Sequence, residues 1–310
     1  MKIAFASCMD ALDDKQQPVW DRIRERGPDA LILLGDSVYM DFGLLGDRHL
    51  GWPRKASNQE FATALYQRYK LQWEVASFQN LLASGLKVGL IWDDHDFAWN
   101  DSRGAGTEKR RAVSAEKRSI SRGLFLQFKS QLEQRLPQYP AQPAPPASVP
   151  PADYAGINDS FDVGNVRFIL LDGRSFREDP NDLANAEMHG RKQRLWLAEK
   201  IHSWKGIKVI GAGSVLTHSR ESWDQYTDYA WLLAQNFEEV VVLTGDIHKN
   251  SPPQRHTKSP PLYEITSSGA ARPGLGGASG NFGILEIADA VSVTLYSELQ
   301  LSGNKFPLAF

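Results

Sequence analysis

The stretch Ile91-Trp92-Asp93-Asp94-His95-Asp96-Phe97-Ala98-Trp99-Asn100-Asp101 places Asp93, Asp94, His95 and Asp96 directly after the apolar run Val88 to Ile91. A strand that ends this way delivers charge to the edge of a sheet, where ligands of open α/β sheets collect. One such cluster is ordinarily just a turn whose side chains bond their own backbone. Here the pattern recurs. Leu33-Leu34-Gly35-Asp36-Ser37-Val38-Tyr39 and Val242-Leu243-Thr244-Gly245-Asp246-Ile247-His248 each set Asp, with Tyr or His, behind an apolar run and a Gly. Recurrence at separate strand ends is hard to explain as turns and points to metal ligation.

Working outward, the chain reads as alternating elements. Residues 2 to 7 predict a strand ending at Cys8, residues 16 to 26 a helix, and residues 29 to 34 a near-continuous apolar strand of the kind buried on both faces. Ser57 and Glu60 form a capping-box signature ahead of Phe61, Leu65, Tyr69 and Trp73, which predicts a long helix to about residue 83. The strand before Asp93 completes a β-α-β-α-β run with connections long enough for parallel pairing. Beyond it come a helix over 114 to 136 and a loop over 137 to 152, where Pro137, Pro140, Pro143, Pro145, Pro146, Pro150 and Pro151 fall. Gly164-Asn165 signals a hairpin between strands 160 to 163 and 166 to 171. A helix over 187 to 203, a strand over 207 to 212, a helix over 224 to 237 and a strand over 239 to 244 make a second alternating half. Strands over 261 to 267, 282 to 287 and 290 to 297 follow. The glycine-rich segment Gly274 to Gly280 neither opens a helix nor carries the Lys-Ser/Thr of a nucleotide P-loop, and reads as a loop.

Nothing breaks the 310 residues into separate units, so one catalytic domain over 1–310 is expected. A formal charge of −2 gives no global argument for nucleic acid or an acidic membrane surface. The apolar run before Asp10 is too short for a leader's core, and no run reaches the roughly 18 apolar residues of a membrane helix. A soluble, cytoplasmic protein is expected. With Cys8 the sole cysteine, no internal disulfide can form. His49, His189, His202, His218 and His256 have no matching partner in sequence and read as structural or exposed.

The strand-end residues are Cys8, Asp36 and Tyr39, Asp93 to Asp96, Asp172 and Arg174, and Asp246 and His248. Thiolate, phenolate, carboxylate and imidazole together suit iron, and the oxygen-rich remainder suits a harder ion such as calcium, magnesium or manganese. The combination Gly-Asp-x-x-Tyr, Trp-Asp-Asp-His-Asp with a later Trp-Asn-Asp, Asp-x-Arg-x-x-Arg and Gly-Asp-x-His resembles the PhoD-like alkaline phosphatases and phosphodiesterases, within the calcineurin-like metallophosphoesterases. The resemblance spans almost the whole chain. It implies a four-layer αββα sandwich with two central mixed sheets and the site at the strand ends. It implies that Asp36 bridges two metals, that Cys8, Tyr39 and His248 bind the iron-type ion, and that Asp94 and Asp246 bind the second. His95 then assists the leaving group and Arg174 clamps phosphate, while Asp93, Asp96 and Asn100 are expected to support the ligands from behind or to order the loop. The implied reaction is hydrolysis of a small phosphate ester, with phosphate as product, by water activated between two cations.

Secreted members carry a leader and an extra N-terminal β domain, whereas Met1 here opens on the core, so a secreted role is not expected. His218 sits near the place where many metallophosphatases supply a further metal-binding His, and its role is left open. Residues 40 to 56 and 102 to 113 are expected to border the pocket. Action on phospholipid or nucleotide diesters is the near alternative, and a non-catalytic metal-binding protein on the same fold the distant one.

Overall fold

The structure, a computed structural model, describes residues 1–41, 52–106, 108–144, 155–181, 184–272 and 279–310. Most of the Gly274 to Gly280 segment, residues 145–152 of the Pro-rich loop, and residues 42–51 and 107 of the expected pocket border lie outside the described residues. The apolar runs become strands: β1 (Lys2–Ala6), β2 (Ala30–Leu34), β3 (Lys87–Ile91), β4 (Asp159–Val163), β5 (Val166–Leu170), β6 (Ile207–Ala212) and β7 (Val240–Thr244). Then follow β8 (Asn250–Lys258), β9 (Pro261–Ser267), β10 (Phe282–Ile287), β11 (Val291–Ser297) and β12 (Gln300–Leu308). The helices are α1 (Val19–Glu25), α2 (Asn58–Trp73), α3 (Ala76–Leu82), α4 (Asp94–Phe97), α5 (Ala115–Gln134), α6 (Gly190–His202) and α7 (Thr227–Ala234).

The strands form two six-stranded sheets, in the orders β12-β11-β10-β1-β2-β3 and β4-β5-β6-β7-β9-β8. Both are mixed. β1, β2 and β3 run parallel with β10 antiparallel to β1, and β5, β6, β7 and β9 run parallel with β4 and β8 antiparallel at the edges. Period-2 alternation divides the second sheet between two cores. Phe168, Leu170, Val209, Val241 and Leu243 face the first sheet, whereas Ile169, Leu171, Ile210, Val240 and Val242 pack with residues of α6 and α7. Residues of α1, α2, α3 and α5 cover the other face of the first sheet. The expected four layers are therefore present.

Local differences have local causes. The capping box forms, with Glu60 N donating to Ser57 Oγ at 3.3 Å and Ser57 N to Glu60 Oε2 at 2.8 Å. The single helix expected to reach residue 83 is instead α2 and α3, because Val75 is extended at φ −66, ψ 116 and caps the second piece. Gln79 Nε2 donates to the freed Trp73 carbonyl at 2.6 Å. The helix expected over 224 to 237 is a 3-10 turn at Trp223–Gln225 followed by α7. Strands β8 and β12 were not legible. Both lie on sheet edges, where Pro252, Pro253 and Pro307 are tolerated and apolar alternation is not needed. Among the described residues no helix is long and apolar enough to cross a membrane.

Buried Asp228 ties the segment ahead of α6 to α7. It accepts from Met188 N at 2.9 Å and His189 N at 3.1 Å, and pairs with His189 Nδ1 at 2.9 Å. Burial pushes its pKa up, but the His189 ring and the two backbone donors outweigh this and hold it at about 2. A depressed folded pKa contributes stability that is present above the unfolded value and lost as pH falls through the folded one. We expect Asp228→Asn to lower unfolding free energy at neutral pH by about 2 kcal/mol, the size of that shift. The difference from the parent should shrink between about pH 4 and pH 2 in denaturant titrations. A pH-independent difference would refute the linkage.

Candidate functional site

The parallel strands of both sheets bring their C-terminal ends to one edge, and each site-bearing turn follows one of those ends. Cys8 follows β1, Asp36 and Tyr39 follow β2, Asp93 and α4 follow β3, Arg174 follows β5, and Asp246 and His248 follow β7. Cys8, Asp36, Asp246 and His248 have φ of 60°, 53°, 71° and 52°, the left-handed region that side chains rarely adopt. Each such residue costs about 1 kcal/mol or more, and the surrounding packing must hold it there. Glycine is required where the sheets close on Asp93. A Cβ on Gly35, at φ +91, would lie 2.6 Å from Asp93 Cβ and 2.8 Å from its backbone N. One on Gly213 would lie 2.6 Å from Asp93 Cγ.

Donor atoms of Cys8, Asp36 and His248 lie within 4.8 Å of one another. The same limit encloses Asp36 with Asp94 and His95, and Asp36 with Asp93, Asp94 and Asp246. Asp36 is common to all three groups. Its Oδ2 accepts from Tyr39 Oη at 3.2 Å and from Cys8 Sγ at 3.4 Å, and Tyr39 Oη lies 3.4 Å from His248 Nε2. His248 Nδ1 donates to the Arg272 carbonyl at 2.9 Å, which leaves Nε2 directed at the group. The residues read from the sequence thus converge, and Asp93 joins them. Asp93 Oδ2 and Asp94 Oδ1 are buried without a hydrogen bond among the described residues.

Burial sets the protonation of this cluster. It raises the Cys8 thiol, and it raises Asp36 well above the carboxylate range with help from Cys8 and Asp94. Tyr39 is raised by burial and then by Asp36. Asp246 is pushed to about 7 by burial, then by Asp93 and Asp94. Burial also acts to raise Asp94, but Arg174 and His95 outweigh it and hold it at about 2. Without a cation Cys8, Asp36 and Tyr39 retain protons while Asp94 stays ionised; a bound cation favours the deprotonated forms and fits this set of sulfur, phenol, imidazole and carboxylate.

His95 Nδ1 lies 2.7 Å from Asp41 Oδ1, and its backbone N donates to Asp36 Oδ1 at 3.3 Å. Burial lowers its pKa, but Asp41, Asp94 and Asp36 outweigh it and raise it well above the usual histidine range. Arg174 is 0% exposed. Its Nε donates to Asp93 Oδ1 and its Nη1 to Glu221 Oε2, both at 2.5 Å, and Nη2 approaches Asp94 Oδ1 at 3.7 Å. Arg177 Nη1 shares Glu221 Oε2 at 2.8 Å.

Asp96 and Asp172 are built into the backbone. Asp96 accepts from Ser37 N at 3.0 Å and Asp93 N at 3.1 Å, while Asp172 accepts from Trp92 Nε1 at 2.7 Å and Ile157 N at 3.0 Å. His218, at φ 66, is absent from the donor groups found among the described residues. His189 and His256 are structural, the latter 3.0 Å from Glu264 Oε2. Asp41 and Glu221 escaped sequence reading. Asp41 had one signal, its position two residues past Tyr39; Glu221 had none, because its partners lie in other turns.

The model of the PhoD-like phosphatase family matches residues 3–281. Alkaline phosphatase D of Bacillus subtilis (strain 168) is 24% identical over 93% of this chain and 52% of its own length, so the chain spans about half of that relative. Among solved structures, PhoD aligns at a TM-score of 0.67 and 16% identity, over 100% of this chain and 71% of its own. Purple acid phosphatase PPD1 from yellow lupin (Lupinus luteus) seeds aligns at 0.55 and 12%, over 100% and 53%. At such identities the likeness speaks to the fold.

The contact between Gly35 and Asp93 predicts that Gly35→Ala destabilises the protein by at least about 2 kcal/mol, from left-handed strain and overpacking together. Chemical denaturation checks this. A loss within experimental error would mean that β2 and β3 relax apart at no cost.

Proposed function

The chain belongs to the PhoD-like phosphatase family, and from that premise we propose that it hydrolyses phosphate esters at a centre of paired metal ions. The observation that carries the reading is Asp36, one carboxylate shared by every group at the edge that contains Cys8, His248, His95 or Asp246. In this reading Cys8, Asp36, Tyr39 and His248 hold an iron-type ion. Asp36, Asp94 and Asp246, joined by Asp93, hold a harder one such as calcium, manganese or magnesium. Bound there, the cations supply charge for the non-bridging phosphate oxygens and lower the pKa of water at the site.

The chain's own groups do the rest. Asp41 fixes the His95 ring through Nδ1, so that Nε2 carries the proton given to the leaving oxygen. Asp41 is a positioning residue, acting through His95. Arg174, paired with Asp93 and Glu221, holds Asp93 and Asp94 in place and adds positive charge beside the oxygens of a bound phosphate. Clamping those oxygens directly would require the guanidinium to loosen one of these pairs. The reacting species are a small phosphate ester and water, and the products phosphate and an alcohol.

His95→Ala should keep its metal content and lose about 10²- to 10⁴-fold in turnover of an aryl phosphate monoester. Unchanged turnover would remove His95 from the reaction. Measuring a diester in parallel decides between the two ester classes. Separately, protein reconstituted with ferric iron should show a visible charge-transfer band that Cys8→Ala shifts or abolishes. A colourless protein that is fully active and free of iron would remove Cys8 and Tyr39 from the ligand set.

A further inference from the structure

The segments after β3, β5 and β6 border an open cavity of about 530 Å³ whose lining includes Arg103, Arg111, Asn181, His218, Arg220 and Gln225. No carboxylate is among its described lining residues. Arg103 is 1% exposed. It pairs with Asp179 at 2.7 Å through Nη1, yet its buried Nε makes no hydrogen bond among the described residues. Arg220 sits opposite in character. Its side chain is 84% exposed and reaches Asp101 only at 3.9 Å.

The cavity is one residue removed from the metal-binding edge. Asp101, which pairs with Arg111 at 3.1 Å, donates its backbone N–H to Asp94 Oδ2 at 2.6 Å. Arg220 adjoins Glu221, the carboxylate that holds Arg174 and Arg177. His218, in its left-handed conformation at the end of the β6 turn, stands on the wall. Asp179, Asp101 and Glu108, the last 3.2 Å from Arg111 Nε, offset part of the arginines' charge from outside the lining; the lining itself presents guanidinium groups, whose planar forks match phosphate oxygens in pairs. Asn181 and Gln225 add neutral donors. A lone surface arginine would carry no such meaning; here an exposed guanidinium and a buried one, whose Nε lacks a hydrogen bond among the described residues, line the same cavity.

We propose that this cavity is an anion subsite, taking a second phosphate group of the substrate while the scissile phosphorus lies at the Asp36, Asp94 and Asp246 edge. The preferred substrates are then phosphate esters that carry a further phosphoryl group at a distance from the bond that is cleaved. This rests on the phosphoesterase reading above and specifies the substrate class of the same site. Arg220 and Arg111 are its specificity-determining residues: they bind the remote group and take no part in the bond cleavage.

The test offers metal-loaded protein a homologous series of alkanediol monophosphates and the corresponding bisphosphates, with kcat/KM measured for each. The best bisphosphate should exceed its monophosphate by about 10- to 100-fold, chiefly through KM, and the advantage should fall as salt is raised. Arg220→Ala should bring the ratio towards one, Arg111→Gln should reduce it, and Arg220→Lys should retain part of it. The ratio is internally controlled, so a variant that slows both esters still reports. A ratio near one in the parent protein, or one that survives both Arg220→Ala and Arg111→Gln, overturns the subsite while leaving the phosphoesterase reading intact. Failure of the parent to hydrolyse either ester counts against that reading itself and removes the subsite with it.

Discussion

Mutual repulsion among Asp36, Asp93, Asp94 and Asp246 is the constraint on which this edge of the molecule depends. Their donor atoms lie within 4.8 Å of one another and three of these residues are fully or almost fully buried. Two like charges about 4 Å apart repel by about 4 kcal/mol at the effective dielectric of a protein, so four cannot be ionised together unaided within a stability of about 5–15 kcal/mol. Arg174 and Arg177 offset part of this from the side of Glu221. The rest is relieved by protons, as the raised pKa values of Asp36 and Asp246 indicate, or by bound cations.

Holding charged groups in so small a volume demands a rigid support, and the two sheets provide it. The turns that carry the donors leave largely buried parallel strands, and the backbone bends sharply at Cys8, Asp36, Asp246 and His248. Gly35 and Gly213 let the turns close on Asp93 from either side. The same turns lead outward to Asp101, Arg111 and Arg220, so that the carboxylate edge passes within a few residues into an arginine-lined cavity. That juxtaposition suits a substrate with one phosphate to be cleaved and another to be held.

Much of this was legible along the chain. The buried strands β2 and β7 announced themselves as continuous apolar runs, and the residues directly behind them are the donors found together at the edge. Helix α2 began where Ser57 and Glu60 said it would. What escaped had weak local signals. Edge strands β8 and β12 lack the alternation of half-buried strands, Asp41 and Glu221 gain their meaning only from partners in other turns, and the Arg174 network is invisible from Asp-x-Arg-x-x-Arg alone.

Sequence by itself determined the elements and the donor types, because burial periodicity and the residues behind a strand are properties of short stretches. Tertiary structure decided which donors share a site. It made Asp36 common to separate groups, brought Asp93 in beside Asp94, turned Arg174 towards Asp93 and Glu221, and set Arg103, Arg111 and Arg220 around one cavity. Those outcomes depend on how turns from two facing sheets meet, and charges distant in sequence interact only once packing has brought them within a few ångströms.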